Sequence, residues 1–292
     1  MYQLTSSNKV ITLPNKHPSA AREDGHNNTQ DATQNRRMIA ITSGKGGVGK
    51  TNIVANLGYA LSRLGKNTMI LDADLGLGNL DVLLGITPRY NLSHVIAGEK
   101  TIHDVTVLGP GNVKIIPASS GIQELTELSK RQRLQILNEL NLLTDSVEIL
   151  LVDTAAGISA NVTYFNTTAQ EIIVVVSPEP TSITDAYALM KVLSLKYSAK
   201  YFKLLVNLAP SMQEAYEIFR QLNLVTDRFL DISIEYFGHI LFDDKVPKCV
   251  KRQKIVSEVY PDTKASRCFA ALAKKLSYPS APQSPTKQGT IL

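Results

Sequence analysis

The sequence is poor in cysteine and lacks tryptophan: its only two cysteines are Cys249 and Cys268. Two isolated cysteines form neither a disulfide framework nor a CxxC metal site, which disfavours a secreted disulfide-rich protein and an iron–sulfur carrier. The first residues lack the apolar segment of a secretory signal, and no apolar run approaches the roughly 20 residues that span a bilayer. We therefore expect a cytoplasmic protein.

A strong excess of charge is also missing. The 292 residues carry a formal net charge of +5, and 20% of them are charged while 43% are hydrophobic. These proportions are typical of globular proteins, and the chain is long enough for one large domain or two small ones. The mild positive charge permits contact with acidic lipid or nucleic acid but requires neither.

The chain divides into three segments by composition. Residues 1–36 are polar and aperiodic, and we expect a disordered arm there. The tail 278–292 is rich in proline and is also expected to be disordered. The intervening residues 37–277 show neither an internal repeat nor a break in composition, so we predict that they form one domain.

Within this domain, short runs rich in Val, Ile and Leu alternate with segments of helical periodicity. Strands that are apolar on both faces are typical of a mostly parallel sheet covered by helices on both sides, so we predict an α/β fold. The predicted strands are 38–42, 68–73, 113–117, 148–153, 171–177, 202–207 and 236–241. The predicted helices are 50–64, 131–144, 161–168, 182–197, 211–226 and 263–276.

One eight-residue stretch matches the phosphate-loop pattern of Gly, four residues, Gly, Lys and Thr. It joins the first predicted strand to the first predicted helix. Glycines allow a tight turn that brings backbone N–H groups to phosphate oxygens, and the helix N-terminus adds free donors and a positive dipole end. The stretch consists of Gly44, Lys45, Gly46, Gly47, Val48, Gly49, Lys50 and Thr51.

These eight residues and the following Asn52 are the candidates for binding ATP. Lys50 is expected to reach the β- and γ-phosphates and to assist catalysis, and the Thr51 hydroxyl is expected to bind Mg²⁺. The alternative is a glycine-rich turn that only resembles a phosphate loop, which would leave the flanking strand and helix unexplained.

Three aspartates lie at or just after the ends of predicted strands, where ligands of open α/β sheets collect. Asp153 ends an apolar strand, a pattern typical of a Walker-B carboxylate held near Mg²⁺. Asp74 is the candidate for orienting the attacking water. Asp72 is expected to act on Mg²⁺ through water or to contact Lys50, and a turn or helix cap is its alternative role.

The loop carries a second lysine, Lys45, directly after its first glycine. The form Lys-Gly-Gly-x-Gly-Lys-Thr resembles the deviant phosphate loops of the MinD/ParA superfamily. The resemblance implies that Lys45 crosses a dimer interface to the partner's ATP and assists catalysis there, whereas a solvated surface lysine is the alternative. It also implies that Asn207 contacts the adenine and that residues 242–247 cover the base, although Asn207 could be an ordinary turn residue.

Four further strings resemble the flagellar-number regulators of the FlhG/FleN type within this superfamily. The last of them is the most specific; its alternative is an ordinary helix start capped by Thr181 or Ser182. The strings are DADLGLGNLDVLLG at 72–85, YNLSHVIAGE at 90–99, IIPASSGIQ at 115–123 and EPTSITDAYAL at 179–189.

The resemblance implies an ATP-dependent homodimer that separates on hydrolysis and limits the number of flagella. Its implied partners are a flagellar transcription activator and the flagellar signal-recognition-type GTPase, and DNA binding is not expected. Two alternatives stay open: a MinD-like division-site or ParA-like DNA-segregation ATPase, and a nucleotide-gated adaptor with vestigial hydrolysis.

Many relatives of this type end in an amphipathic membrane-targeting helix. Here the last periodic segment, residues 265–276, is expected to be a core helix instead, and the proline-rich tail shows no amphipathic pattern. A basic stretch around Lys251 offers at most a weak contact with acidic lipid. We therefore expect a cytoplasmic protein that visits the cell pole or the inner face of the membrane only transiently.

Overall fold

The computed structural model describes residues 36–118, 127–143 and 147–278. The predicted arm, apart from Arg36, and the predicted tail, apart from Tyr278, lie outside the described residues, as do residues 119–123 of the third string. In the described part no helix has the length and apolar character needed to span a bilayer.

The described strands form one eight-stranded sheet, which confirms the predicted α/β class. The strand order is β3-β4-β2-β5-β1-β6-β7-β8, and every neighbouring pair is parallel except β3 with β4. The strands are β1 (Arg37–Ser43), β2 (Thr68–Ala73), β3 (Val107–Leu108), β4 (Lys114–Ile116), β5 (Ile149–Ala156), β6 (Glu171–Val176), β7 (Tyr201–Ala209) and β8 (Ser233–Leu241).

All six predicted helices are present, together with five helices of only four to six residues that were not predicted. The helices are α1 (Lys50–Arg63), α2 (Leu80–Leu84), α3 (Leu92–Ile96), α4 (Ile102–Val105), α5 (Lys130–Asn141), α6 (Ala160–Thr168), α7 (Pro180–Tyr197), α8 (Met212–Phe229), α9 (Lys245–Val250), α10 (Val256–Val259) and α11 (Lys264–Ser277).

Alternate residues of the strands enter hydrophobic cores on opposite faces of the sheet. Ile39 and Ile41 pack into the core beneath α1 and α11, whereas Met38 packs into the core beneath α5 and α6. A third core lies beneath α7 and α8. Since both faces are covered, the strands are apolar throughout.

The last helix belongs to the core, as predicted. Phe269, Leu272 and Leu276 of α11 are buried, and α11 packs against α1 and β8. Its apolar stripe is therefore used inside the fold.

The two edges of the described sheet differ in construction. β3 is only two residues long. In β8 the register shifts between the pairs Leu204–Tyr236 and Leu205–Gly238, so that Phe237 forms a bulge. The Phe237 carbonyl accepts a hydrogen bond of 2.8 Å from Lys275 Nζ.

The central strand β1 lies between β5 and β6, with β2 to β5 on one side of it and β6 to β8 on the other. In open α/β sheets, the crevice at such a switch point, beyond the carboxyl ends of the strands, is where ligands bind. The phosphate-loop stretch leaves β1 at this crevice.

Candidate nucleotide site

The phosphate-loop stretch runs from the end of β1 to the start of α1. Gly47 and Gly49 have φ angles of 79° and 92°, a region that favours glycine. Gly49 is the N-cap of α1, and no side chain caps the helix, so its first N–H groups are available to an anion.

The loop borders a cavity of about 890 Å³ whose lining residues come from six parts of the chain. This volume accommodates a small-molecule ligand such as a nucleotide. The lining includes Gly46, Gly47, Gly49, Lys50, Thr51, Asn52, Asp74, Asn79, Val82, Thr154, Asn207, Leu208, Phe242, Val246, Pro247 and Gln253.

Lys50 is buried in the loop, and its Nζ donates a hydrogen bond of 2.8 Å to Ser43 Oγ. Ser43 Oγ in turn donates to the Lys45 carbonyl at 2.7 Å. Burial lowers the pKa of Lys50, while the charges of Asp153 and Asp74 act in the opposite direction. The loop thus holds a cation next to its N–H donors.

Asp153 lies near the carboxyl end of β5, directly opposite Asp72 of β2. Burial raises the pKa of Asp153 to about 7, although a hydrogen bond from Thr51 and the charge of Lys50 lower it. Its Oδ1 atom is buried without a hydrogen-bond partner among the described residues. A buried carboxylate oxygen that lacks a partner, beside a threonine hydroxyl, fits Mg²⁺, which prefers oxygen ligands.

No group of three or more His, Cys, Asp or Glu side chains in the described ranges could hold a metal ion by itself. An Mg²⁺ ion that binds together with a nucleotide takes one or two protein ligands and completes its shell with phosphate oxygens and water.

The Asp72 carboxylate forms hydrogen bonds with the loop that follows it. Its oxygens accept hydrogen bonds from Asp74 N at 3.1 Å and from Leu80 N, the first residue of α2, at 3.3 Å. Burial, followed by the charge of Asp153, raises its pKa well above the ordinary value. The structure thus gives Asp72 the turn-and-cap contacts that the sequence left open, and its action on Mg²⁺ stays a prediction.

Asp74 lines the cavity, and its Oδ1 accepts a hydrogen bond of 3.3 Å from Leu77 N. This contact fixes the carboxylate at the cavity wall. Asn79 also lines the cavity, and sequence reasoning gave it no role although it lies in the first of the four strings.

Lys45 has its Nζ at the start of α7. It forms an ion pair with Glu179 and donates a hydrogen bond of 2.9 Å to Thr181 Oγ1. The fourth string therefore supplies the residues that hold the second lysine of the loop, a contact that sequence reasoning missed.

The start of α7 is not the ordinary capped helix start that was the alternative reading of the fourth string. The helix begins at Pro180 with Glu179 as N-cap, so the alternative in which Thr181 or Ser182 caps it is wrong. Ser182 is buried, and its Oγ instead accepts a hydrogen bond of 3.0 Å from Ser177 N, at the end of β6.

The loop and α7 also touch through their backbones. A Cβ atom placed on Gly44 would lie 2.1 Å from the carbonyl oxygen of Asp185. Only glycine fits at this contact, so the first glycine of the loop serves packing as well as phosphate approach.

Asn207 is buried inside β7, which continues to Ala209, so its reading as a turn residue is wrong. Its Nδ2 donates a hydrogen bond of 2.7 Å to the Val48 carbonyl of the phosphate loop. Leu208 follows with a φ of 59°, in the left-handed region that a branched residue rarely adopts. Leu208, Phe242 and Pro247 contribute an apolar wall to the cavity, against which a base could pack.

The chain has clear relatives among known proteins. A family model described as ParA, NUBPL iron-transfer P-loop NTPase, matches residues 34–277. The antiactivator FleN of Pseudomonas aeruginosa is 48% identical over 249 residues, which cover 85% of this chain and 89% of FleN. The flagellum site-determining protein YlxH of Helicobacter pylori is 33% identical over 245 residues, covering 83% and 82%.

A solved structure agrees with these relatives. The MinC:MinD cell division protein complex of Aquifex aeolicus contains a chain that is 28% identical, with a TM-score of 0.65 and coverage of 85% of this chain and 98% of that one. The phosphate loop, the paired strand-end carboxylates and these similarities lead to one conclusion: the chain belongs to the MinD/ParA family of P-loop ATPases, in the group that contains FleN.

Proposed function

We propose that this protein is a Mg²⁺-dependent ATPase that pairs with a second copy of itself while ATP is bound and thereby regulates flagellar number. The observation that carries the nucleotide part is the cavity lined by Lys50 and Thr51 of the phosphate loop, with the buried Asp153 hydrogen-bonded to Thr51. The cellular part rests on the similarity to FleN and YlxH.

The residues divide the chemistry among them. The loop N–H groups and Lys50 bind the phosphates, while Thr51 and Asp153 would hold Mg²⁺, which would supply positive charge next to the phosphates. Asp74 orients the attacking water. Phosphoryl transfer needs mostly positioning and electrostatic stabilisation, so the site requires no stronger base.

The proposed dimer gives Lys45 a role that it does not have within its own subunit. Its ammonium group lies at Glu179 and Thr181 and not at the phosphate end of its own cavity. A lysine that moves from this position across to the partner's ATP would add positive charge where the transferred phosphate spreads its negative charge. Hydrolysis removes that anion, and the two copies then separate.

Asn207 and the wall around Phe242 are the proposed adenine site. Because Asn207 Nδ2 is bonded to the phosphate loop, its Oδ1 is the atom left for the base, and it can accept from the adenine amino group. Asp72 contributes by holding the loop that carries Asp74.

The proposed partners are a flagellar transcription activator and the flagellar signal-recognition-type GTPase, and the proposed place of action is the cytoplasm, with transient visits to the cell pole. The name antiactivator describes FleN, and the name site-determining protein describes YlxH. We propose that this chain also restrains flagellar gene expression and assembly.

Deleting the gene and counting flagella per cell tests this role. We expect cells with more flagella, and expression of the Asp74→Ala variant from a plasmid tests whether turnover is needed for the correct number. An unchanged number after deletion would refute the flagellar role while leaving the proposed ATPase chemistry in place. Salt-sensitive binding of the isolated protein to arbitrary DNA would instead favour a DNA-segregation ATPase.

A further inference from the structure

The first helix contains a fully buried asparagine, Asn56, whose exposed fraction is 0%. Its Nδ2 donates to the carbonyl oxygen of Asn52 at 2.8 Å and to Asn52 Oδ1 at 2.9 Å. Its Oδ1 accepts a hydrogen bond of 3.0 Å from Ser257 N in α10. One buried amide thus links the cavity-lining Asn52 to a distant helix.

The orientation of the Asn56 amide follows from its two backbone partners. A backbone N–H can only donate, so the atom that faces Ser257 must be the oxygen of Asn56. A backbone carbonyl can only accept, so the atom that faces the Asn52 carbonyl must be the nitrogen. Turning the Asn56 amide over would place donor against donor and acceptor against acceptor.

The same logic fixes the next side chain. Since Asn56 presents a donor to the Asn52 side chain, the atom of Asn52 that faces it must be Oδ1. The Asn52 Nδ2 group is therefore the part left for the cavity that Asn52 lines, and it has no hydrogen-bond partner in the part of the chain that the structure describes. Such a group can donate but cannot accept.

We propose that Asn56 is a positioning residue that fixes the Asn52 amide so that it donates to a phosphate oxygen of the bound nucleotide. Phosphate is the acceptor because Asn52 lies in the first turn of α1, directly after Lys50 and Thr51, where free N–H groups and the helix dipole attract anions. This inference rests on the proposed nucleotide-binding function and names two residues that tune it.

The arrangement also ties the phosphate end of the site to α10. Asn56 bonds Ser257 across 201 positions of the sequence, and the bond is sheltered from solvent at the Asn56 side. If the Asn52 amide turned over, its Nδ2 would face the Asn56 Nδ2, and Asn56 would have to give up its bond to Ser257 to restore a donor–acceptor pair. Such a change is unfavourable because a buried amide that loses its partners is costly.

A double-mutant cycle on ADP binding tests the proposal, with dissociation constants measured by titration calorimetry in excess Mg²⁺. Asn52→Ala removes the donor, and we expect about tenfold weaker ADP binding, as for loss of a hydrogen bond to a charged group. Asn56→Ala should weaken binding by a similar or smaller factor because Asn52 is no longer oriented. In the double variant, Asn56→Ala should add nothing to the effect of Asn52→Ala.

Further variants separate positioning from stability. Asn56→Leu keeps the side-chain volume and replaces Asn56→Ala if that variant fails to fold. Leu61→Ala removes a buried side chain from the same helix, so it should lower the melting temperature and leave the ADP dissociation constant unchanged.

Comparing ADP with adenosine tests whether the group that accepts from Asn52 is a phosphate. We expect Asn52→Ala to weaken ADP binding but not adenosine binding, because adenosine lacks phosphate. Equal losses for both would refute the phosphate assignment, and additive losses of Asn52→Ala and Asn56→Ala would refute the positioning role. A wild-type protein that does not bind ADP at all would refute the proposed function itself, which is a different outcome.

Discussion

Asp74 is the residue on which turnover should depend most. Its carboxylate is held at the cavity wall by Leu77 N, and it is not needed for the phosphate contacts of Lys50 and the loop. We expect Asp74→Ala to abolish hydrolysis while retaining an ATP-bound dimer. Phosphate release and light scattering in saturating ATP and Mg²⁺ measure the two properties.

A matched control for this variant lies seven positions further along. Asp81 is an acid in α2 whose carboxylate accepts a hydrogen bond of 2.8 Å from its neighbour Val82 N, and it is not among the residues that line the cavity. Asp81→Ala should leave turnover within about twofold of the wild type, since surface substitutions have small effects. An Asp74→Ala protein that stays monomeric with ATP would contradict the proposed order of pairing and hydrolysis.

The ion pair between Lys45 and Glu179 should oppose dimerisation only weakly. The side chains are 34% and 60% exposed, and such pairs contribute up to about 1 kcal/mol. Glu179→Gln should therefore lower the ATP concentration at which dimers form, by no more than about fivefold. Lys45→Ala should prevent ATP-dependent dimers altogether. Sedimentation across an ATP series provides the measurement, and a higher ATP requirement for Glu179→Gln would show that Glu179 supports the dimer.

At the scale of elements, the contact between the phosphate loop and α7 depends on glycine. An alanine Cβ at Gly44 would collide with the Asp185 backbone, whereas a Cβ at Gly46 would lie 4.0 Å from its nearest neighbour, Ala156. We expect Gly44→Ala to reduce the free energy of unfolding by about 1–3 kcal/mol and Gly46→Ala by less than about 0.5 kcal/mol. Urea unfolding without nucleotide isolates this packing effect, and equal losses in the two variants would contradict it.

The long elements were predictable from sequence because apolar spacing marks them. All seven predicted strands and all six predicted helices are present, with ends that differ by a few residues. The helices α2, α3, α4, α9 and α10 were missed because four to six residues are too few to establish a period. Two of them nevertheless carry a sequence signal, since Asn91 and Thr101 form capping boxes with His94 and Asp104.

The site was predictable where its residues are close in sequence or end neighbouring strands, as for Lys50, Thr51 and Asp153. The pairing of Lys45 with Glu179 joins positions 134 apart, and no local pattern reveals such a contact. The hydrogen bond between Asn56 and Ser257 was not predicted for the same reason, since 201 positions separate the two residues. Asn207 was predicted to end its strand, but β7 continues through Leu208 to Ala209. The left-handed backbone at Leu208 has no signal in the sequence.

At the scale of the whole molecule, one charged network joins three strands to the last helix. Lys203 of β7 donates to the Glu171 carboxylate at 2.6 Å, and Arg37 of β1 donates to it at 2.9 Å. Arg37 also donates to the Leu276 carbonyl of α11 at 2.6 Å. Burial alone would raise the pKa of Glu171, but the hydrogen bonds and charges of Lys203 and Arg37 hold it below the ordinary value.

A lowered carboxylate pKa in the folded state means stability that is present at neutral pH and is lost as the pH falls through that pKa. We expect Glu171→Gln to reduce the free energy of unfolding at pH 7 by about 2 kcal/mol. The difference from the wild type should shrink as the pH falls below the ordinary glutamate pKa of about 4.3 and through the lower pKa that Glu171 has in the folded state. Urea unfolding at pH 7 and at pH 3.5 measures both values.

Glu235 provides the control for this network. It lies 4.0 Å from Lys203 and is about half exposed, so Glu235→Gln should change stability by less than about 0.5 kcal/mol at either pH. A loss in Glu171→Gln that stays constant between the two pH values would show that packing, and not the charge of Glu171, is responsible.

The construction of the sheet edges has a consequence for the proposed pairing of two copies through the nucleotide face. An edge strand that such a pair left uncovered would be able to bind a strand of another pair and extend the sheet. The bulge at Phe237, with its carbonyl already taken by Lys275, interrupts such an edge on one side, and the two-residue β3 offers little to extend on the other. Assembly is therefore expected to stop at two copies and not to continue into filaments, even when nucleotide is abundant.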